Sequence, residues 1–256
     1  DRLLFMRTEI HTKRIPMIPD SQELIIFPEQ KQWVEGTASW IRDTIRNRME
    51  TSGSCTIALS GGRTPRAIYR RLAEPPFRDQ ILWERLHIFW GDERAVGPEH
   101  ADSNYRMARE TLLDHIPIPV RNIHRIKGEL PPEIAVGNYV RELEEHFSKT
   151  GAGEPVFDLA LLGLNVDGHI ASLFPRTELL TDRDRRWAAS TYVPRLNSWR
   201  ITLTPHTFNH ALNVAFLVFG EKKAEIIHRV FEGPDDPIRY PAQLIQPENG
   251  RVYWLL

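Results

Sequence analysis

The chain is poor in the features that mark several common protein classes. It has one cysteine, Cys55, in 256 residues. That residue cannot form an internal disulfide, and its place inside an apolar run fits a thiol kept reduced. No apolar run approaches the roughly 20 residues a membrane-spanning helix needs, so no membrane partner is expected. Neither sign of charge prevails: 33 Lys and Arg against 34 Asp and Glu leave a formal net charge of −1. A nucleic-acid partner would ordinarily call for a basic excess on one face, and none is expected here. Neither a Gly-Lys-Ser/Thr phosphate loop nor a Gly-x-Gly-x-x-Gly fingerprint is present, which argues against nucleotide hydrolysis and dinucleotide binding. The lack of a Gly-x-Ser-x-Gly elbow disfavours a serine hydrolase. There is no internal repeat and no low-complexity tract.

What is there is ordinary globular material, 41% hydrophobic and 26% charged, enough to bury a sizeable core. Residues 1–23 mix charges and prolines and do not read as a signal peptide. They are expected to form an arm ahead of one α/β domain over 24–256, in a cytoplasmic protein. The chain opens on Asp1 instead of Met and ends at Leu256 inside an apolar run, which reads as boundaries left by processing.

Strand-like apolar runs alternate with helix-period segments. Strands are expected at Leu24–Phe27, Cys55–Leu59, Leu86–Trp90, Phe157–Leu164, Trp187–Val193, Arg200–Thr204, Asn213–Phe219 and Val252–Leu256. Helices are expected at Gln30–Met49, Pro65–Ala73, Asn104–Leu113, Pro132–Phe147 and Lys222–Phe231, with a short turn or helix at Ala171–Phe174. Such alternation implies a mostly parallel, Rossmann-like sheet flanked by helices. Open sheets of this kind bind ligands at the carboxyl ends of their strands.

Four strands run directly into polar groups. Ser60-Gly61-Gly62-Arg63-Thr64-Pro65 follows the first, with Thr64 as a hydroxyl N-cap and Pro65 at the first helical position. Amide hydrogens of such a turn converge on one point and attract an anion. An ordinary tight turn without ligand explains the same residues, and the motif alone does not choose. Gly91-Asp92-Glu93-Arg94 follows the second, and Ser103-Asn104 offers a helix cap nearby. Leu162-Gly163-Leu164-Asn165-Val166-Asp167-Gly168-His169 follows the third, placing an imidazole beside a carboxylate, a pairing suited to general-base work. Gly220-Glu221-Lys222-Lys223-Ala224 follows the fourth, where a cation at a helix start opposes the dipole and hints at an anionic ligand. Arg200 is a fifth candidate cation. His206 and His210 stand four apart, but no Glu or Cys accompanies them in a metal-binding pattern, so no metal is expected there.

Taken together these segments resemble the family of glucosamine-6-phosphate isomerases and 6-phosphogluconolactonases. The matching runs are Leu59–Pro65, Trp90–Arg94 with Ser103-Asn104, Asp158–Gly163 leading into Asp167–Pro175, Arg200–Thr204 and Gly220–Ala224. Arg94 and Ser172-Leu173-Phe174 point to the lactonase branch. The resemblance implies a sugar-phosphate isomerase/deaminase type of fold and hydrolysis of 6-phospho-D-glucono-1,5-lactone, without cofactor or metal, by a monomer or weak homodimer. The alternatives are a deaminase-like isomerase and a non-catalytic sugar-phosphate-binding module.

In that reading His169 is the general base on water, and Asp167 or Glu93 orients it. Arg94 or amides near Gly168 stabilise the oxyanion. Ser60, Gly61, Gly62, Arg63 and Thr64, with Arg200 and Lys223, hold the phosphate. Asn165 stands where the family usually has glycine. Since Asn is the next best residue for a left-handed backbone, the turn is expected to keep its shape while a side chain is added close to substrate. Arg176 also replaces a common glycine, with little effect expected.

Overall fold

The computed structural model describes residues 11–12, 21–148, 151, 153–181 and 185–256. Most of the expected arm, residues 1–10 and 13–20, lies outside them. In chain order the strands and α-helices begin with β1 (His11–Thr12), β2 (Gln22–Ile26), α1 (Gln30–Ser52), β3 (Cys55–Leu59), α2 (Arg63–Leu72) and α3 (Phe77–Gln80). There follow β4 (Leu86–Trp90), β5 (Asp92–Arg94), α4 (Asn104–Thr111), α5 (Pro132–Phe147), β6 (Leu159–Gly163), β7 (Ala188–Val193) and β8 (Ser198–Leu203). The last are α6 (Pro205–Asn209), β9 (Asn213–Leu217), α7 (Ala224–Phe231) and β10 (Arg251–Leu255).

The main sheet has the order β1-β2-β10-β9-β6-β3-β4. All its pairs are parallel except β1 with β2. Its central strands are apolar on both faces, as strands covered by helices must be: every residue of Cys55–Leu59 is buried. Helix α1 buries Trp33, Ala38, Ile41, Ile45 and Met49 along one stripe. It stops at Gly53, whose φ of 81° lets its N–H return to the Met49 carbonyl. Trp254 of β10 stacks on Phe216 of β9 with ring centroids 3.9 Å apart. No helix among the described residues is long and apolar enough to cross a membrane.

From β3 the chain goes outward to β4 on one side, while β6 pairs with β3 on the other. Strand order therefore reverses between β3 and β6, and such a reversal opens a crevice at the carboxyl ends of the two strands. The loops that enter it are those after Leu59 and Gly163.

A second, antiparallel sheet, β5-β8-β7, was not foreseen as a separate unit. The segment Asp92–Arg94, expected as a polar turn, is its edge strand. Gly91 joins the two sheets: its N–H donates to the Leu59 carbonyl and its own carbonyl accepts from Leu203. The remaining expected elements are recovered, Cys55–Leu59, Leu86–Trp90 and Pro132–Phe147 with the expected bounds and the others with shifted ends. The third of the four strands, for instance, shortens to Leu159–Gly163, and the helix expected from Lys222 becomes a 3-10 turn at Glu221–Lys223 before α7.

Candidate active site

A cavity of about 250 Å³ opens at the crevice. Into it come Ser60, Gly61, Gly62, Arg63 and Thr64 from the β3–α2 loop, Arg94 from β5 and Arg200 from β8. Asn165 and His169 from the β6 turn and Lys223 from the β9–α7 connection complete the set. Ten of the expected site residues, from five segments, thus share one wall.

The β3–α2 loop is built by two glycines for two reasons. A Cβ on Gly61 would lie 1.8 Å from Asn104 Oδ1, so the loop lies flush against that side chain. Gly62 has a φ of 103°, a conformation side chains rarely adopt, and is itself the N-cap of α2. The expected cap at Thr64 is therefore corrected: the helix starts at Arg63, and no side chain caps it. The first amides of a helix have no partner within the helix, and Gly61, Gly62 and Arg63 line the cavity at this start. Tyr69, one turn on, accepts from the Ser60 N–H at 3.0 Å and donates to the Ser60 carbonyl at 2.8 Å, which fixes the loop from beneath. Ser60 Oγ is buried with no hydrogen-bond partner among the described residues, a polar atom that a ligand would satisfy.

Side chains alternate along a strand, and this separates the Asp92-Glu93-Arg94 triplet. Asp92 and Arg94 face the cavity, while Glu93 points away. Glu93 is buried and accepts from the backbone N–H groups of Arg94, Asn104 and Tyr105 at 2.7–2.8 Å, and from the Ser103 hydroxyl at 3.0 Å. Burial raises its pKa, and these N–H groups at the start of α4 pull the other way. Its expected place beside the imidazole is thus corrected: Glu93 anchors α4. Asp92 was missed. Its carboxylate accepts from Ser172 Oγ at 2.7 Å and Asn104 Nδ2 at 3.1 Å, tying the His169 turn to the glycine loop. Reading the triplet as a strand would have found it.

Asp167 is the partner of the imidazole. Its Oδ1 lies 2.6 Å from His169 Nδ1, and Oδ2 binds the Arg195 guanidinium. Burial pushes the Asp167 pKa up, but the His169 contact, reinforced by Arg195, outweighs it and holds the carboxyl well below the usual range. A carboxyl depressed on folding adds stability above its unfolded pKa and loses it only as pH falls through the folded value. The contact therefore persists through neutral pH. An ionised carboxylate only accepts, so Nδ1 carries the proton and Nε2 the lone pair. Asn165 Nδ2 lies 2.9 Å from that Nε2. Arg195, which also lies over the Phe174 ring at 5.2 Å, had no signal in the sequence.

Two expectations about the turn change. Asn165 is not left-handed. The positive φ values fall at Gly168 (91°), Ala171 (45°) and Arg176 (62°), so the glycine-like sites occupied by larger residues are Ala171 and Arg176, the latter held by an N–H bond to the Ile238 carbonyl. The Gly168 amide donates to the Asn165 carbonyl at 2.9 Å and is committed to the turn. Arg94, the other expected oxyanion donor, lines the cavity.

Three of the four cationic residues that line the cavity sit there at some electrostatic cost. Arg94 and Arg200 stand directly opposite in the β5–β8 register, where like charges repel. Arg94 donates to the Asp102 carbonyl at 2.5 Å. Burial, then the Arg94 charge, lowers the pKa of Arg200. Burial likewise lowers that of Lys223, whose Nζ donates to the Leu164 carbonyl at 2.6 Å. An anion in the cavity would relieve all three. By contrast, His206 meets Glu154 at 3.2 Å, and His210 Nδ1 lies 2.8 Å from the His206 carbonyl, outside this site.

Residues 28–254 match the family model described as glucosamine-6-phosphate isomerases/6-phosphogluconolactonase. A 6-phosphogluconolactonase of Synechocystis sp. is 42% identical over 224 residues, 87% of this chain and 90% of that one. Among solved structures, the devB protein superposes with a TM-score of 0.82 at 34% identity, covering 91% of this chain and 95% of its own. The 6-phosphogluconolactonase from Thermotoga maritima gives 0.75 at 30%, covering 91% and 97%.

Proposed function

The chain belongs to the glucosamine-6-phosphate isomerase/6-phosphogluconolactonase family, and from that premise we propose how its cavity works as a 6-phosphogluconolactonase. The enzyme hydrolyses 6-phospho-D-glucono-1,5-lactone to 6-phospho-D-gluconate, a step of the pentose phosphate pathway. One observation carries the assignment of roles: an imidazole whose Nε2 lies against the exposed Asn165 amide, a glycine-lined helix start and four cationic residues line the same cavity.

The substrate phosphate, a dianion, lies at the start of α2 against the amides of Gly61, Gly62 and Arg63 and the Ser60 hydroxyl, with Arg200 and Lys223 as counter-charges. His169 Nε2 takes a proton from water as its oxygen attacks the lactone carbonyl. Asp167 stabilises the imidazolium that forms, as a carboxylate on Nδ1 does. Negative charge on the carbonyl oxygen of the tetrahedral intermediate is met by Arg94. Collapse expels the ring oxygen, and the imidazolium returns its proton to that leaving group. The lactone is an activated ester and needs no covalent nucleophile.

The test is a coupled assay on freshly prepared lactone, corrected for spontaneous opening, with glucosamine 6-phosphate as the control substrate. Turnover of the lactone alone is expected. Turnover of the amino sugar, or of neither, would overturn the reading.

Asn165 enters this mechanism through its amide, which occupies the Nε2 lone pair that water needs. Being exposed, it can turn aside, at the cost of one hydrogen bond. Net hydrogen bonds contribute about 0.5–1.5 kcal/mol. Asn165→Ala is therefore expected to raise kcat/KM by about 2- to 10-fold. A fall measured in the same assay would show that the amide serves the substrate instead.

A further inference from the structure

Away from the catalytic cavity, three histidines from separate segments meet at the edge strand of the parallel sheet. His87 is the second residue of β4, His124 lies beside that strand with its N–H on the Ile88 carbonyl at 2.8 Å, and His146 lies in the last turn of α5. Each offers one ring nitrogen, and the three atoms lie within 4.8 Å of one another. We propose that they bind one divalent transition-metal ion of the zinc class, in a structural site that fastens α5 to the edge of the sheet.

His124 carries the argument. It is buried, with Nδ1 2.6 Å from Glu142 Oε1 and Nε2 3.1 Å from His87 Nδ1. A carboxylate accepts, so Nδ1 holds the proton and Nε2 presents its lone pair toward the cluster centre. A carboxylate on the far nitrogen is the arrangement that fixes tautomer, orientation and basicity of a metal-binding imidazole. Glu142 and His146 are one turn apart on the same face of α5, so one helix supplies both a ligand and the group that orients another.

The spacing fits as well. Zinc–nitrogen bonds of about 2.0–2.1 Å in a tetrahedron put ligand nitrogens roughly 3.3 Å apart, close to the 3.1 Å between His87 and His124. Reaching the same separation for His146 takes a side-chain rotation, and both His87 and His146 are half-buried rather than locked in the core. The rings are held by aromatic walls. His124 stacks on Phe89 at 4.2 Å and 10°, and His146 meets Phe147 edge-on at 4.9 Å. Three imidazoles suit zinc, nickel or copper and not the oxygen-seeking calcium or magnesium. His87 lies near the start of β4, whereas the cavity opens beyond its other end, so the ion takes no part in the lactone reaction.

Chelator-treated full-length protein titrated with Zn²⁺, and separately with Co²⁺, tests this. Expected are one ion per chain, the visible absorption of four-coordinate cobalt, and a Tm rise of about 5 °C at free zinc a hundredfold above Kd. His87→Gln and His146→Gln should each abolish the cobalt spectrum, and Glu142→Gln should weaken binding about 10- to 100-fold. His206→Ala, in the other histidine pair, should leave both readouts unchanged. Neither a spectrum nor a Tm shift in the parent would overturn the proposal. So would undiminished affinity in Glu142→Gln, which alters a partly exposed side chain and so keeps the test open if a histidine variant misfolds.

Discussion

His169→Ala is expected to lower kcat by about 10²–10⁴-fold, the usual contribution of a positioned general base, while KM for the lactone stays near that of the parent. The split follows from the division of the cavity. In the proposed mechanism the imidazole faces the reacting carbon, whereas the glycine loop, Arg200 and Lys223, on the same cavity, hold the phosphate. The substitution also frees Asp167, which keeps its Arg195 partner and so is not left as an uncompensated charge. The fold should therefore survive, and a far-ultraviolet spectrum and Tm close to the parent are part of the expectation. The lactone assay decides it: unchanged turnover would remove His169 from the chemistry, and a large rise in KM would move it to binding.

The second large effect is on affinity. Arg200→Ala is expected to raise KM by about 10- to 100-fold, since a hydrogen bond to a charged group contributes about 1.5–3 kcal/mol, with kcat nearly preserved. Arg200 makes no salt bridge within the described residues and faces Arg94 across the ladder. In the ligand-free protein its removal relieves a repulsion, so the variant should be at least as stable as the parent. Stabilisation by 6-phosphogluconate, read as a shift in Tm, should shrink in the same variant. Equal KM values would refute the role, and a loss confined to kcat would place Arg200 on the oxyanion instead. Side chains that cost stability without ligand and recover it with ligand are a common mark of a binding site.

Much of this was legible in the chain. The strands that end in the site are short apolar runs closed by glycine, and their character follows from burial on both faces, which composition reports directly. The polar and glycine residues after those strands, with Arg200, gave ten of the cavity's residues. The errors share a cause. Glu93 and Asp92 are adjacent and chemically alike. They differ only in which side of β5 they face, and β5 exists because it pairs with β8, over a hundred residues away. The start of α2 lies ahead of the one expected because Thr64-Pro65 is a sound local cap, overridden by Gly62, which caps the helix at a positive φ. The left-handed residue of the His169 turn was sought at Asn165 from the residue type alone, whereas contacts from the 238–240 segment set it at Gly168 and Arg176.

Local sequence by itself determined the periodicities, the glycine punctuation and the kinds of group available after each strand, because these depend on neighbours within a few positions. Tertiary structure alone decided that Glu93 turns to α4, that Arg195 joins Asp167, that two arginines oppose each other, and that His87, His124 and His146 gather at one point. Those are contacts between segments whose separation along the chain carries no signal. They arise only when burying the apolar strands forces distant loops into the same few ångströms.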